Sequence, residues 1–257
     1  MHILILGGTT QATQLVGMLS DDRRFQTTFS LAGRTTKCVA QRVRCRIGGF
    51  GGAAPLADWL ASERIDAVVD ATHPFAARIS ANAVAAAKLA QLPLLSLSRP
   101  PWDRLPEDNW TCVQNIEAAV QAPGPQPKRV FLTIGRQEVG AFREAPHHTY
   151  VIRSIDPPDD SVLPPDTHVI LQRGPFDEAA EIALMQSHHI EIVVAKNSGG
   201  AATYAKVAAA RKLGLPLIMI DRPDKPVGVV ANDVGDAHAW LVSQLRAHPA
   251  TSSDRGV

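Results

Sequence analysis

Short apolar runs recur along the chain, each breaking into small or polar residues before a segment with helical spacing. The first, Ile3–Leu6 behind His2, runs into Gly7-Gly8-Thr9-Thr10 and then Ala12, Leu15, Val16 and Leu19, the order strand, glycine turn, helix. Further strands are expected at Thr27–Leu31, Val43–Ile47, Ala67–Asp70, Pro93–Leu97 and Trp110–Val113. Helical patterns follow at Pro55–Leu60, Phe75–Ala90 and Ile116–Val120. After the Pro- and Gly-rich Gln121–Lys128, the arrangement repeats, with strands at Val130–Thr133, Tyr150–Ile152, Val169–Leu171, Ile190–Val194 and Leu217–Ile220. Its helices are Phe176–Gln186, Thr203–Leu213 and Val234–Leu245. Runs apolar on both faces, joined by helices, imply mainly parallel sheets. The expected fold is α/β: two Rossmann-like domains, residues 1–122 and 128–246, with mainly parallel sheets facing across a cleft. Residues 247–257 read as a disordered tail.

The strand ends share one chemistry. In order they read GGTT, AGRT, GGFGG, ATHP, SRP, TIG, RS, QRGP, KNSGG and DRP. Any one of these is an ordinary turn, but the whole series falls where open parallel sheets bind ligands, outside the carboxyl ends of the strands. Arg34, Arg99, Arg136, Arg153, Arg173, Lys196 and Arg222 lie there, with Lys206 one turn into the next helix; the acids are Asp70 and Asp221. Some of these cations are expected to face solvent. The remainder imply a polyanionic ligand, since Arg forks bind carboxylate and phosphate in bidentate fashion.

Composition narrows the classes. The 257 residues are 45% hydrophobic and 20% charged, with a net charge of +1. No global field recruits nucleic acid, so the basic character is local. No apolar run approaches about 18 residues, which excludes a membrane span. A core strand from residue 3 leaves no room for a signal peptide. Cys38, Cys45 and Cys112 lack paired spacing, which argues against a disulfide framework or a zinc site and for a reducing, cytoplasmic setting. His147-His148 and His188-His189 lack carboxylates at ligand spacing, so no metal is expected. The pattern leaves the oligomeric state open between monomer and small homo-oligomer.

The opening turn suits a dinucleotide: glycines bring the backbone close to a phosphate, and the helix start attracts its charge. Gly7, Gly8, Thr9 and Thr10 are the first cofactor candidates, with Thr9 where the dinucleotide fingerprint has its second glycine. The second strand ends at Arg34 and Thr35 with no acid, which favours NADPH over NADH. Gly49, Phe50, Gly51 and Gly52 offer a second close backbone approach. Asp70 and His73 are candidates for proton donation or nicotinamide positioning, with Thr72 and Pro74 beside the cofactor. The alternative is that Thr72 or His73 caps the following helix and Asp70 bonds loop amides. Lys196, Asn197, Ser198, Gly199 and Gly200, with Thr203 and Lys206, read as an anion cradle for substrate. Arg99, Thr133, Gly135, Arg153, Arg173 and Gly174 complete the candidate substrate-binding set.

ILGGT, GGFGG, DATHPFA with Ser80 and Asn82 behind it, SRPPW, FLTIGRQEV, IDPP, RGPF and KNSGGAATYAK followed by RP resemble the precorrin-6A reductase family of cobalamin biosynthesis. The likeness runs from Ile3 to about Leu245. It departs at Gln11, where the family usually carries Glu. The resemblance implies that NADPH donates hydride to a ring carbon–carbon double bond of precorrin-6A and that an added proton gives precorrin-6B. The substrate would be a tetrapyrrole macrocycle bearing many carboxylates, and neither metal nor flavin is called for. Alternatives are the cobalt-precorrin-6A version, an NADP-linked reductase of another anionic small molecule, or a non-catalytic nucleotide sensor. The absence of a Tyr-x-x-x-Lys pair speaks against a short-chain dehydrogenase, and the KNSGG cradle against a sensor.

Overall fold

The structure, a computed structural model, describes residues 1–31 and 43–247. Candidates Arg34 and Thr35, and all but the first residue of the expected tail, lie outside the described residues. In chain order the strands are β1 (His2–Leu6), β2 (Gln26–Leu31), β3 (Arg44–Ile47), β4 (Ala67–Asp70), β5 (Leu94–Leu97), β6 (Trp110–Val113), β7 (Arg129–Thr133), β8 (Thr149–Ser154), β9 (Thr167–Leu171), β10 (Ile192–Lys196), β11 (Leu217–Ile220) and β12 (Val229–Ala231). The helices are α1 (Thr10–Ser20), α2 (Ala53–Ser62), α3 (Ala77–Leu89), α4 (Ile116–Gln121), α5 (Glu178–Ser187), α6 (Ala205–Lys212) and α7 (Val234–Ala247). They form two compact units, Met1–Arg99 with Asp224–Val257, and Pro100–Pro223.

The first unit is a six-stranded sheet in the order β12-β5-β4-β1-β2-β3, with every pairing parallel. Side chains alternate across its pleat. Ile3 and Ile5 join Leu15, Phe29, Val69, Leu95 and Leu241, beneath α1 and α7. Leu4 and Leu6 join Leu56, Leu60, Val68, Ala83 and Leu94, beneath α2 and α3. Both faces are covered, which is why β1 is uniformly apolar.

The second unit is also six-stranded and parallel, in the order β6-β11-β10-β7-β8-β9. Phe131, Val151, Val193 and Met219 pack with Met185 of α5 and Val207 of α6. Trp102 and Trp110 belong to the same core.

The doubly wound α/β fold agrees with the sequence reading, but the partition differs. β6 follows β5 along the chain yet pairs with β11; β12 follows β11 yet pairs with β5. Each sheet thus takes its sixth strand from the other half of the sequence, and the chain changes unit at Arg99/Pro100 and again at Pro223/Asp224. Gln121–Lys128, read as a linker between domains, instead joins α4 to β7 inside the second unit. Side-chain fit explains the exchange. Trp110 is buried beside Phe131 and Leu217, and Ala231, Ala237 and Leu241 complete the core around Leu95 and Leu97. A Cβ at Gly228 would lie 2.2 Å from the Leu94 carbonyl oxygen, so only glycine lets β12 approach β5.

One further expectation changes. Cys45 is disulfide-bonded, against the reading of the cysteines, while Cys112 is free and exposed. Among the described residues no group of His, Cys, Asp and Glu could hold a metal, and no helix is long and apolar enough to cross a membrane.

The exchange predicts which fragments fold. Residues 1–122 should give no cooperative thermal transition, since β5 lacks its neighbour and α1 lacks α7. Residues 1–99 joined by a short linker to 224–247 should fold, and so should 100–223; circular dichroism melts check all three. The second unit should also be acid-sensitive. His148 is buried and its Nδ1 accepts the Lys128 amide at 3.2 Å. Burial, then the charges of His147 and Lys128, lowers its pKa; burial and His168 lower that of His188. A lowered folded pKa means the unfolded chain binds more protons, so stability is complete above the unfolded value of about 6.5 and falls as pH drops below it. His148→Gln should flatten the melting-temperature profile between about pH 7 and 5.

Candidate functional site

In the first unit the strand order reverses between β1 and β4, and such a switch point opens a crevice at the carboxyl edge. Leu6 sits opposite Asp70, so the glycine turn and the Asp70-Ala71-Thr72-His73-Pro74 loop leave the sheet side by side. The two glycines of the turn have different reasons. A Cβ at Gly7 would lie 2.1 Å from the Phe29 ring, so Gly7 serves strand packing. Gly8 has φ +136 with nothing within 4 Å of a Cβ, so here the backbone borders open space. Thr9 N-caps α1: its Oγ1 accepts the Ala12 amide at 3.1 Å and donates to the Ala71 carbonyl at 2.9 Å. Thr10 is exposed. Gln11 donates to the Asn232 carbonyl at 2.9 Å, a bond that a glutamate carboxylate could not make.

Asp70 is 2% exposed. Its Oδ1 accepts the Thr72 amide at 3.1 Å and the Thr72 hydroxyl at 2.6 Å. Its Oδ2 is buried without a hydrogen bond and lies 3.8 Å from Lys225 Nζ. Lys225 also donates to Ser80 Oγ at 3.1 Å, and Ser80 is 3.3 Å from Thr72 Oγ1. His73 is half-buried and its Nδ1 accepts the Phe75 amide at 3.3 Å; Pro74 is buried. Neither Thr72 nor His73 caps α3, whose N-cap is Ala76, with no side-chain bond. Asp70 does bond a loop amide, as its alternative reading had it.

The GGFGG loop is rigidly held by a residue the sequence reading passed over. Arg46 of β3 donates to the Gly48 and Gly49 carbonyls at 2.6 and 2.7 Å. Its guanidinium stacks 3.7 Å above the Phe50 ring, which meets Trp59 edge-on. Gly51 (φ +87) and Gly52 (φ +134), the N-cap of α2, need left-handed backbone; Gly49 and Gly51 are exposed.

In the second unit much of the expected cradle holds the protein's own chain. Asn197 brackets Trp102, accepting its amide at 2.7 Å and donating to its carbonyl at 3.1 Å. Trp102 Nε1 donates to the Gly200 carbonyl at 2.8 Å. A Cβ at Gly199 would lie 1.9 Å from the Pro100 carbonyl oxygen. Lys196 pairs with Glu138 at 2.7 Å. Ser198 is buried, its amide donating to the Lys196 carbonyl at 2.7 Å. Lys206 is buried, donates to the Thr203 carbonyl at 2.9 Å and lies 5.1 Å from the Trp102 ring. Arg222 donates to the Asn197 carbonyl at 2.9 Å.

Arg153 is also committed internally. It is 6% exposed and forms a two-pronged pair with buried Glu181 of α5, one bond at 2.9 Å. Phe176 lies 3.7 Å from its guanidinium. Thr133 donates to the Val194 carbonyl at 3.1 Å, and Gly174 packs against the Ala202 carbonyl. Arg99, the last residue of the first stretch of unit one, is half-buried, and burial lowers its pKa. Arg173 and Arg136 are exposed at the carboxyl edge. Arg136 follows Gly135 (φ +89). With Gln137, Pro157, Pro158, Asp159 and Val162 it lines a pocket of about 560 Å³.

Two doubly wound units with their polar loops on the carboxyl edge define a Rossmann-type α/β protein, and the comparisons narrow the class further. The chain matches the family described as "Precorrin-6x reductase CbiJ/CobK" over residues 2–242, and it belongs to that family. A precorrin-6A reductase from Sinorhizobium sp is 54% identical over 228 residues, 89% of this chain and 87% of the relative. One from Rhodobacter capsulatus is 46% identical over 256 residues, 100% and 99% of the two chains. A solved structure titled "CobK precorrin-6A reductase" superposes with a TM-score of 0.89 at 46% identity, covering 95% of this chain and 96% of that one. Members of the family are oxidoreductases acting on a carbon–carbon double bond.

The Arg153 pair yields a direct test. Arg153→Met strands the Glu181 charge in the core and should cost roughly 3–5 kcal/mol in denaturant unfolding, most of it recovered by Met at both positions. Unchanged stability with a raised substrate KM would restore Arg153 to the ligand.

Proposed function

We propose that the chain is an NADPH-dependent precorrin-6A reductase, with the dinucleotide on the first unit and substrate carboxylates on the second. The observation that carries the cofactor assignment is Gly8: left-handed backbone at a switch point, facing open space, directly before a helix N-terminus capped by Thr9. Gly7 and Thr9 shape that turn, Thr72 and Pro74 hold the neighbouring loop, and Gly49, Phe50, Gly51 and Gly52 border the same edge of the sheet. Arg34 and Thr35, at the end of the second strand in sequence, supply donors for a 2′-phosphate, with no acid to repel it. NADPH, when bound, supplies the hydride; the chain's residues position it, bind carboxylates and deliver or admit the balancing proton. Of the Asp70/His73 pair, we assign the ligand-facing role to half-buried His73 and the shaping of the loop to Asp70.

Arg136 and Arg173 are the anchors we assign to the acetate and propionate groups, since both are exposed at strand ends. Lys196, Asn197 and Gly199 act on the substrate through the loop they hold. The relatives at 46% and 54% identity bear the name of the cobalt-free substrate, which favours precorrin-6A over its cobalt form.

An NADPH-oxidation assay with precorrin-6A and with cobalt-precorrin-6A tests this. Turnover of the first and not of the second is expected, and turnover of neither would overturn the reading. In the same assay Arg34→Glu should weaken NADPH at least about tenfold more than NADH, a charged pair of the strength that phosphate recognition gives. Equal weakening would remove Arg34 from the 2′-phosphate.

A further inference from the structure

Asp70 poses an electrostatic problem. It is a buried acid at the strand end where, on the reading above, a diphosphate binds. Its Oδ1 is satisfied by Thr72, but its Oδ2 receives no hydrogen bond. Burying an uncompensated carboxylate is costly, and placing it beside an anion adds like-charge repulsion, which is strongest where water is excluded. Among the described residues Lys225 forms the ion pair with Asp70, at 3.8 Å. Lys225 is itself largely buried, its side chain 10% exposed, and it donates a hydrogen bond to Ser80. It stands one residue after the chain re-enters the first unit at Asp224, and three residues before Gly228, whose contact with Leu94 seats β12.

We propose that Lys225 is a positioning residue for the dinucleotide: its ammonium is the counter-charge that lets Asp70 occupy the switch point, and through Asp70 it fixes the loop bonded to the glycine turn. The connection is continuous. Lys225 holds Asp70 and Ser80; Asp70 folds the turn at Thr72; the intervening Ala71 carbonyl receives the Thr9 hydroxyl; and Thr9 caps α1. The cofactor site is therefore completed by a residue 217 positions beyond Gly8, delivered by the returning chain. This rests on the assignment of the dinucleotide to the first unit.

Direct titration of the full chain with NADPH, followed by ligand fluorescence without substrate, tests the proposal. Lys225→Met and Lys225→Gln should each raise the NADPH Kd at least about tenfold, the effect of leaving a buried charge unpaired. Lys225→Arg, which keeps the charge, should stay within about threefold of the native value. Asp70→Asn added to Lys225→Met should restore most of the lost affinity, because no carboxylate is left to neutralise. In steady state, KM for NADPH should rise with little change in kcat. A purely structural lysine would lower the melting temperature and leave the Kd unchanged; that result, or a failure of Asp70→Asn to rescue, overturns the proposal. Gly8→Val separates the premises. If it abolishes NADPH binding while Lys225→Met has no effect, only the role of Lys225 fails. If neither substitution changes the Kd, the dinucleotide lies elsewhere and both readings fall.

Discussion

The first unit's site depends on one hydroxyl. Thr9 Oγ1 accepts from the Ala12 amide and donates to the Ala71 carbonyl, using both its capacities at once. The first bond starts α1 at the correct residue; the second sets the distance between two loops leaving adjacent strands. A third glycine at this position would permit the same turn but tie it to nothing. With Thr9 there, the rigidity of the turn is supplied by a side chain.

In the second unit the surplus of basic residues serves two ends. Arg153, Lys196 and Lys206 have acids or carbonyls from their own chain. Buried cations must be paired to be tolerated, and these are spent on holding loops. Asn197 and Gly200 grip Trp102, so the KNSGG loop anchors the segment through which the chain enters the unit. Arg136 and Arg173 are exposed at the carboxyl edge instead, and the pocket beside Arg136 is lined from the segments after β7 and after β8.

Much of this could be read from the chain. Uninterrupted apolar runs ending in small polar residues give parallel strands and their carboxyl edge, and Gly7-Gly8 marks the turn. Three things could not be read, for physical reasons. WTCV and VVA are too short to specify a neighbour, so the exchange of β6 and β12 depends on tryptophan burial and on Gly228, which no periodicity reveals. A basic residue at a strand end looks the same whether it awaits a ligand or pairs with an acid on a helix, as Arg153 does with Glu181, 28 positions away. Arg46 and Lys225 act across turns and between distant segments, and local spacing carries no trace of such contacts.

The reciprocal strands also bear on synthesis. A chain emerging from the ribosome amino-end first completes most single-unit folds in order. Here the amino-terminal unit is the last to close: its sheet waits for Val229–Ala231 and its core for Ala237 and Leu241. The inserted unit has all its strands once Ile220 is made. Until then β5 carries an open edge, the kind of surface on which nascent chains pair wrongly. Translation beyond residue 223 is the step that seals it.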